Sequence, residues 1–284
     1  MVKDTPALSY CGQEVRKYDN DRFLTALFAP AGCREALFAL YAFNVEVAKT
    51  REVVSEPLLG QIRLQWWRDA VAALYGEGAA PVHGVVQALQ QAVAAHGLSR
   101  DAFDALIDAR ESDLDDEPPA TLAALERYAA GTAVPLTRLA LEALGVRDAA
   151  AQEAGRHAAT GYALAGLLRA VPFHARQGRT LLPADRMEAH GAKAREVLDF
   201  KPTPALRPVV AEVAAAARTH LDQARAARRD VPRDALPALL PAVLASVHLG
   251  VLKREGNDVF AARLHMPNPF RHARLAWAAF RGRY

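Results

Sequence analysis

The sequence predicts an all-α protein that folds as a single domain over residues 1–284. Alanine-rich segments recur along the whole chain, and alanine has the highest intrinsic helix propensity. Runs of β-branched residues with a period of two are nearly absent, so little in the sequence favours strands. Hydrophobic residues make up 51% of the chain, which is enough for a sizeable core.

The helical elements can be placed by their spacing and by proline and glycine. Helical spacing begins near Cys11, and a long helix is predicted to start at Ala31 and to stop before Pro57. The next helix starts at Leu58 and is closed by Gly76. Further helices are predicted over 82–96, 99–113, 121–144, 148–176, 205–229 and 234–252. Loops are predicted where proline and glycine interrupt the pattern, at 117–119, 178–186 and 200–204.

Charge and cysteine content exclude several classes of protein. The net charge of +3 comes from 35 basic and 32 acidic residues, and so mild an excess predicts no nucleic-acid partner. Cys11 and Cys33 form no C-x-x-C pair, which favours a reducing compartment without a zinc site. The first residues carry too many acids for a transit peptide and lack an apolar signal core, so a cytoplasmic location is predicted. No apolar run is long enough for a transmembrane helix.

Four segments, in this order and spacing, resemble the squalene/phytoene synthase family. They are DRFLTALFAPAGCREALFALYAF (21–43), RLQWWRDAV (63–71), ATLAALERYAAGTA (120–133) and GYALAGLLRAVPFHARQGRTLLP (161–183). The resemblance implies an isoprenoid-synthase-like helical bundle around a central cavity. It also implies a prenyltransferase that joins two isoprenyl diphosphates, in which carboxylates on two facing helices hold Mg²⁺ against the leaving diphosphate.

The acidic motifs of that family are missing from this sequence. The positions that match the first motif are Ala48, Lys49 and Glu52, so a single acid remains. The positions that match the second are Ala170 and His174, and the stretch from 154 to 184 contains neither Asp nor Glu. Mg²⁺ prefers oxygen ligands and is poorly served by lysine and histidine. The sequence therefore predicts no bound metal and no cofactor. Pro172, next to these positions, is expected to kink or end its helix.

A second resemblance is to a branch of the family known as a mitochondrial complex I assembly factor. It rests on NVEVAKTREVVSEPLLGQIRLQWW (44–67) and on LLRAVPFHARQGRTLLP (167–183). This resemblance implies a non-catalytic protein that acts in respiratory complex I assembly at a membrane. Its partners would be a respiratory-complex subunit and a prenyl or lipid ligand. The alternative is an active prenyltransferase that uses Mg²⁺ and other acids, for which Glu46, Glu52, Glu56 and Asp113 are the candidates.

Eight residues are candidates for lining the cavity or binding a diphosphate. They are Tyr41, Phe43, Glu52, Arg63, Trp67, Arg169, His174 and Arg179. For each, an ordinary structural role is the alternative. The aromatic residues could pack in the core, with one of the adjacent Trp66 and Trp67 inside and the other lining a cleft. The arginines and Glu52 could form ion pairs, and His174 could be a hydrogen-bonded core residue.

Two charged segments remain. The acidic run ESDLDDE (111–117) could bind a cation but is better interpreted as a helix end followed by a solvated loop. The C-terminal residues 268–284 place aromatic residues at helical spacing among arginines, with no acid after Asp258. This pattern is typical of a helix that makes peripheral contact with an anionic membrane, here the inner face of a bacterial inner membrane, or docks in a partner groove. The alternative is a terminal helix that packs on its own domain.

Overall fold

The computed structural model describes residues 8–54, 56–266 and 268–284, and every regular element in these ranges is helical. The predicted all-α fold class is confirmed. The first half of the chain contains α1 (Tyr10–Tyr18), α2 (Asn20–Ala26), α3 (Ala31–Ala48), α4 (Thr50–Val53), α5 (Pro57–Leu74), α6 (Gly84–His96), α7 (Arg100–Ala109) and a 3-10 turn (Glu111–Leu114).

The second half begins with the two longest described helices, which form the centre of the bundle. The elements are α8 (Leu122–Ala143), α9 (Ala149–Arg176), α10 (Ala184–Ala189), α11 (Ala194–Leu198), α12 (Leu206–Ala226), a 3-10 turn (Arg233–Ala235), α13 (Leu236–Leu239), α14 (Pro241–Arg254), α15 (Ala262–His265) and α16 (Arg271–Phe280). Helix α9 packs along both α8 and α12 and also contacts α14.

Two predicted helices are each divided in the structure. The helix expected from Ala31 to Pro57 breaks at Lys49, and α4 then ends where Val54 takes an extended conformation. Glu56 is extended as well, as steric contact with the following proline ring favours. The helix expected over 234–252 bends by 44° between α13 and α14, because Pro241 cannot donate to the preceding turn and instead begins a new helix.

Helix α9 continues through Pro172 to Arg176, so Pro172 does not end the helix. Proline removes one backbone hydrogen bond, but the packing of α9 against its neighbours is sufficient to maintain the helix. The positions that match the second acidic motif therefore remain in helical register.

Close packing of α9 on α12 depends on Gly161. A Cβ atom at this position would lie 2.8 Å from Cγ of Leu221 and 3.0 Å from the carbonyl oxygen of Ala217. Because glycine has no side chain, the two backbones can approach to this distance. This contact brings the middle of α9 into the core.

Within the described ranges, no single helix has both the length and the hydropathy required to cross a membrane. The bent pair Arg233–Leu239 and Pro241–Arg254 meets these criteria only when the two are taken together.

Candidate functional site

One position of each acidic motif, Glu52 and His174, lies near one pair of charged residues, Asp113 and Arg179. Glu52 lies on α4 and His174 lies near the end of α9. The charges of both Asp113 and Arg179 act on the pKa of Glu52 and on that of His174. The fold thus brings together Glu52, His174 and Arg179, three of the residues that the sequence singled out.

Asp113 is the centre of this cluster and is almost completely buried. Its Oδ1 accepts a hydrogen bond from the Tyr128 hydroxyl, and its Oδ2 lies 3.1 Å from Nη1 of Arg110. Arg179 donates to the Asp113 backbone carbonyl at 3.0 Å, and its Nη2 lies 3.9 Å from Oδ1. Burial and the Asp113 charge raise the pKa of Tyr128, so this hydroxyl stays protonated and donates. The carboxylate is thus neutralised and hydrogen-bonded within the protein.

The interpretation of 111–117 as a helix end followed by a solvated loop did not predict that Asp113 is buried. Asp115, Asp116 and Glu117 are exposed, as expected, but Asp113 and Leu114 point inward from the 3-10 turn. A buried carboxylate requires partners. Arg110 lies only three positions away, but Tyr128 and Arg179 lie 15 and 66 positions further along the chain, where the local acidic pattern gives no sign of them.

Glu52 is exposed and forms no ion pair with a described residue. Desolvation by its neighbours raises its pKa, and the Asp113 charge does so as well, whereas Lys49 and Arg179 lower it. Lys49, Arg51 and Arg63, the cations that could have paired with it, are engaged elsewhere. Lys49 and Arg63 bind Glu46, at 3.9 Å and 2.7 Å, and Arg51 binds Asp116 at 2.6 Å.

His174 is a neutral imidazole in this site. Burial and the nearby Arg179 charge lower its pKa to about 4. Its Nδ1 atom is buried and has no hydrogen-bond partner among the described residues. His174 therefore adds neither a negative charge for a metal ion nor a positive charge for a phosphate near neutral pH.

Arg169 belongs to a second cluster, centred on the buried Asp21. Arg169 donates to Asp21 at 2.8 Å, and Arg271 of α16 donates to its other oxygen at 3.1 Å. The Asp21 side chain is only 8% exposed, so one buried carboxylate holds two guanidinium groups from α9 and α16. Arg169 and Arg179 are thus both held by aspartates rather than free for a ligand.

Arg22, which lies beside this second cluster, was not among the residues predicted from the sequence. Its guanidinium bonds Asp19 at 2.6 Å and lies over the rings of Tyr41 and Tyr162. Burial raises the pKa of Tyr41 to about 12. The acids around Arg22 in YDNDR (18–22) are the one local signal that could have indicated an ion-pair cluster here.

The aromatic candidates on α3 and α5 lie in the packed core. Phe43 meets Trp67 and Phe103 edge to face, with ring centroids 5.3 Å apart in each pair. Tyr41 and Arg22 line an enclosed cavity of about 10 Å³ at the centre of the bundle. A cavity of this size holds about one water molecule.

An open cleft lies on the outer side of α5, next to this core. Trp67 is buried at its base and Trp66 is 37% exposed along it, as expected for adjacent positions on a helix. The cleft has a volume of about 560 Å³, and its apolar wall includes Val53, Leu59 and Ile62.

The residues present do not fit a bound Mg²⁺. Among the described residues, no three His, Cys, Asp or Glu side chains converge as metal ligands. Glu52 is the one carboxylate among the motif positions. The nearby carboxylate of Asp113 is already engaged by Tyr128 and two arginines. One exposed carboxylate is too little for an ion that keeps a strict octahedral oxygen shell.

The fold defines a helical bundle of the prenyl-synthase type. A family model described as "Squalene/phytoene synthase" matches residues 15–269, and the chain belongs to that family. In structure it is similar to a dehydrosqualene synthase, with a TM-score of 0.82 and 18% identity over 96% of this chain and 94% of that one. It is also similar to the squalene synthase of Alicyclobacillus acidocaldarius, with a TM-score of 0.76 and 22% identity over 87% and 93% of the two chains.

Among curated proteins, the chain is 35% identical to the complex I assembly factor 6 of Mus musculus, over 97% of this chain and 82% of that protein. It is 34% identical to the Homo sapiens protein of the same name, over 91% and 78% of the two chains. Identity to the presqualene diphosphate synthase of Rhodopseudomonas palustris is lower, at 28% over 79% of each chain.

Proposed function

We propose that this member of the squalene/phytoene synthase family is non-catalytic and acts in the assembly of respiratory complex I. The observation that carries the proposal is the replacement of carboxylates at both motif positions, by Ala48 and Lys49 on one side and Ala170 and His174 on the other. The higher identity to complex I assembly factors than to a presqualene diphosphate synthase supports the same conclusion.

The electrostatics of the site support the non-catalytic half of the proposal. A departing diphosphate carries concentrated negative charge, which bound divalent cations neutralise as the C–O bond breaks. Here Asp113 is already engaged, and Lys49 occupies a position where the family places a metal ligand. Arg179 is 8% exposed and engaged by Asp113, so it is not free to replace the metal.

The assembly role implies a protein partner and a place of action. The partner is a subunit of the respiratory complex, and the protein meets it at the cytoplasmic face of the membrane. A prenyl or lipid ligand is part of the same proposal. Such a ligand would occupy the cleft along Trp66, whose volume of about 560 Å³ is typical of small-molecule sites, rather than the small enclosed cavity.

A deletion strain of the source organism tests the assembly role against the alternative of prenyl transfer. We expect NADH:quinone oxidoreductase activity in its membranes to fall severalfold and to return when the wild-type gene is supplied. Succinate:quinone oxidoreductase activity, measured in the same membranes, should not change. Unchanged NADH:quinone oxidoreductase activity together with the loss of a condensed isoprenoid would refute the assembly role and support the alternative.

A further inference from the structure

Helix α16 is held in a fixed orientation on the bundle by one narrow face. Leu275 and Ala278 pack with Leu244 of α14 and with Leu24 of α2. Arg271, at the start of the helix, is tied to Asp21 and Asn20.

The residue that ends the chain is anchored as well. The Tyr284 hydroxyl donates to the Ala224 carbonyl at 3.3 Å, and a Tyr284 carbonyl oxygen accepts from Arg225 at 3.0 Å. The inner face of α16 therefore packs on its own domain, as the alternative interpretation of the sequence expected. The surface that the helix presents outward is preformed.

The outward surface of α16 is rich in exposed aromatic residues. Phe270 is 67% exposed, Trp277 63% and Phe280 75%. The Trp277 and Phe280 rings lie 6.1 Å apart, and Phe270 and Trp277 line the same open groove. Large aromatic groups in one exposed patch are uncommon on a protein surface unless they contact a partner or a membrane.

The charges around these aromatic residues all have one sign. From 259 to 284 the chain contains no acid and has arginine at 263, 271, 274, 281 and 283. Of these, only Arg263 and Arg271 form ion pairs with described residues. Arg281 lies over the Trp277 ring, and Arg274 and Arg283 line the groove beside it. The surface thus has positive charge without a matching negative charge.

We propose that Phe270, Trp277 and Phe280, with Arg274, Arg281 and Arg283, form an aromatic–arginine surface that docks the protein on an anionic phospholipid bilayer. The helix lies parallel to the membrane, its aromatic rings enter the headgroup region, and its arginines bind lipid phosphates. The unpaired positive charge favours an anionic lipid surface over a neutral one. This inference deepens the proposed function, since it names how the protein reaches the membrane.

Co-sedimentation of the full-length protein with vesicles tests this docking. We expect binding to vesicles of phosphatidylcholine with 30% phosphatidylglycerol at least about tenfold tighter than to phosphatidylcholine alone, and weaker binding as salt is raised. The double variant Trp277→Ala/Phe280→Ala and the double variant Arg274→Glu/Arg283→Glu should each lose at least about tenfold in affinity.

Matched variants on other faces control for general hydrophobicity and charge. Leu58→Ala/Val82→Ala removes exposed apolar groups outside the cleft, and Arg127→Glu reverses an exposed charge on α8. Both should bind like the wild type, and melting curves establish that every variant is folded. Equal binding to both vesicle types, undiminished binding by either α16 variant, or an equal loss in the controls would overturn the docking surface. Because purified protein is used, such a failure would leave the result of the deletion strain unaffected.

Discussion

At the scale of single residues, two buried carboxylates have structural roles. Asp113 accepts from Tyr128 and pairs with Arg110 and Arg179, and Asp21 holds Arg169 and Arg271. Each arrangement keeps a negative charge inside the protein by surrounding it with cations and hydroxyl donors. A carboxylate engaged in this way contributes to the stability of the fold.

The substitution Asp113→Ala should therefore destabilise the protein strongly. It leaves Arg110 and Arg179 buried without a carboxylate, which costs about 3 to 5 kcal/mol for a broken buried pair. The free energy of unfolding in urea measures the loss. Asp115→Ala, two positions away and exposed, is the matched control and should stay within about 0.5 kcal/mol of the wild type. Equal effects of the two substitutions would mean that the buried cluster does not stabilise the fold.

At the scale of helices, α9 determines where the site residues lie. It packs against α8 and α12 along its length and continues through Pro172, so that Arg169 and His174 point to two different charge clusters. Alanine content and periodicity predicted this helix and most of the others, because those signals are local. The breaks at Lys49 and before Pro241 depend on packing as well as on local sequence, and they were not predicted.

Substitution of two glycines of α9 by alanine should change the stability of the protein in opposite directions. Gly161→Ala introduces a methyl group within 3.0 Å of Leu221 and of the Ala217 carbonyl, so it should destabilise the protein by about 1 to 3 kcal/mol. Gly166→Ala meets no atom within 4 Å and improves helix propensity, so it should stabilise by about 0.5 to 1 kcal/mol. Thermal or urea unfolding of both variants measures the signs. A Gly161→Ala protein as stable as Gly166→Ala would contradict the close contact between α9 and α12.

At the scale of the whole molecule, the chain has the bundle architecture of the squalene/phytoene synthase family, and the enclosed cavity beside Tyr41 has a volume of only about 10 Å³. The all-α class followed from local sequence signals. Glu52, His174 and Arg179 lie near one another, which agrees with the family resemblance, because that resemblance implies that their segments face one site. The burial of Asp113 and the pairing of Asp21 could not be predicted, because most of their partners lie far away in the chain, up to 250 positions for Arg271 and Asp21. The helical spacing of aromatic residues near the end of the sequence included Phe270, Trp277 and Phe280, which are exposed. It also included Tyr284, which is buried.

The most direct test of the central claim combines melting curves and product analysis of the purified protein with Mg²⁺ and farnesyl diphosphate. A site without metal ligands predicts no rise in melting temperature that requires both Mg²⁺ and the diphosphate, and no condensed product above a control without protein. A bacterial presqualene diphosphate synthase serves as the positive control. Clear stabilisation by Mg²⁺ with the diphosphate, or product and pyrophosphate above the background, would contradict the account.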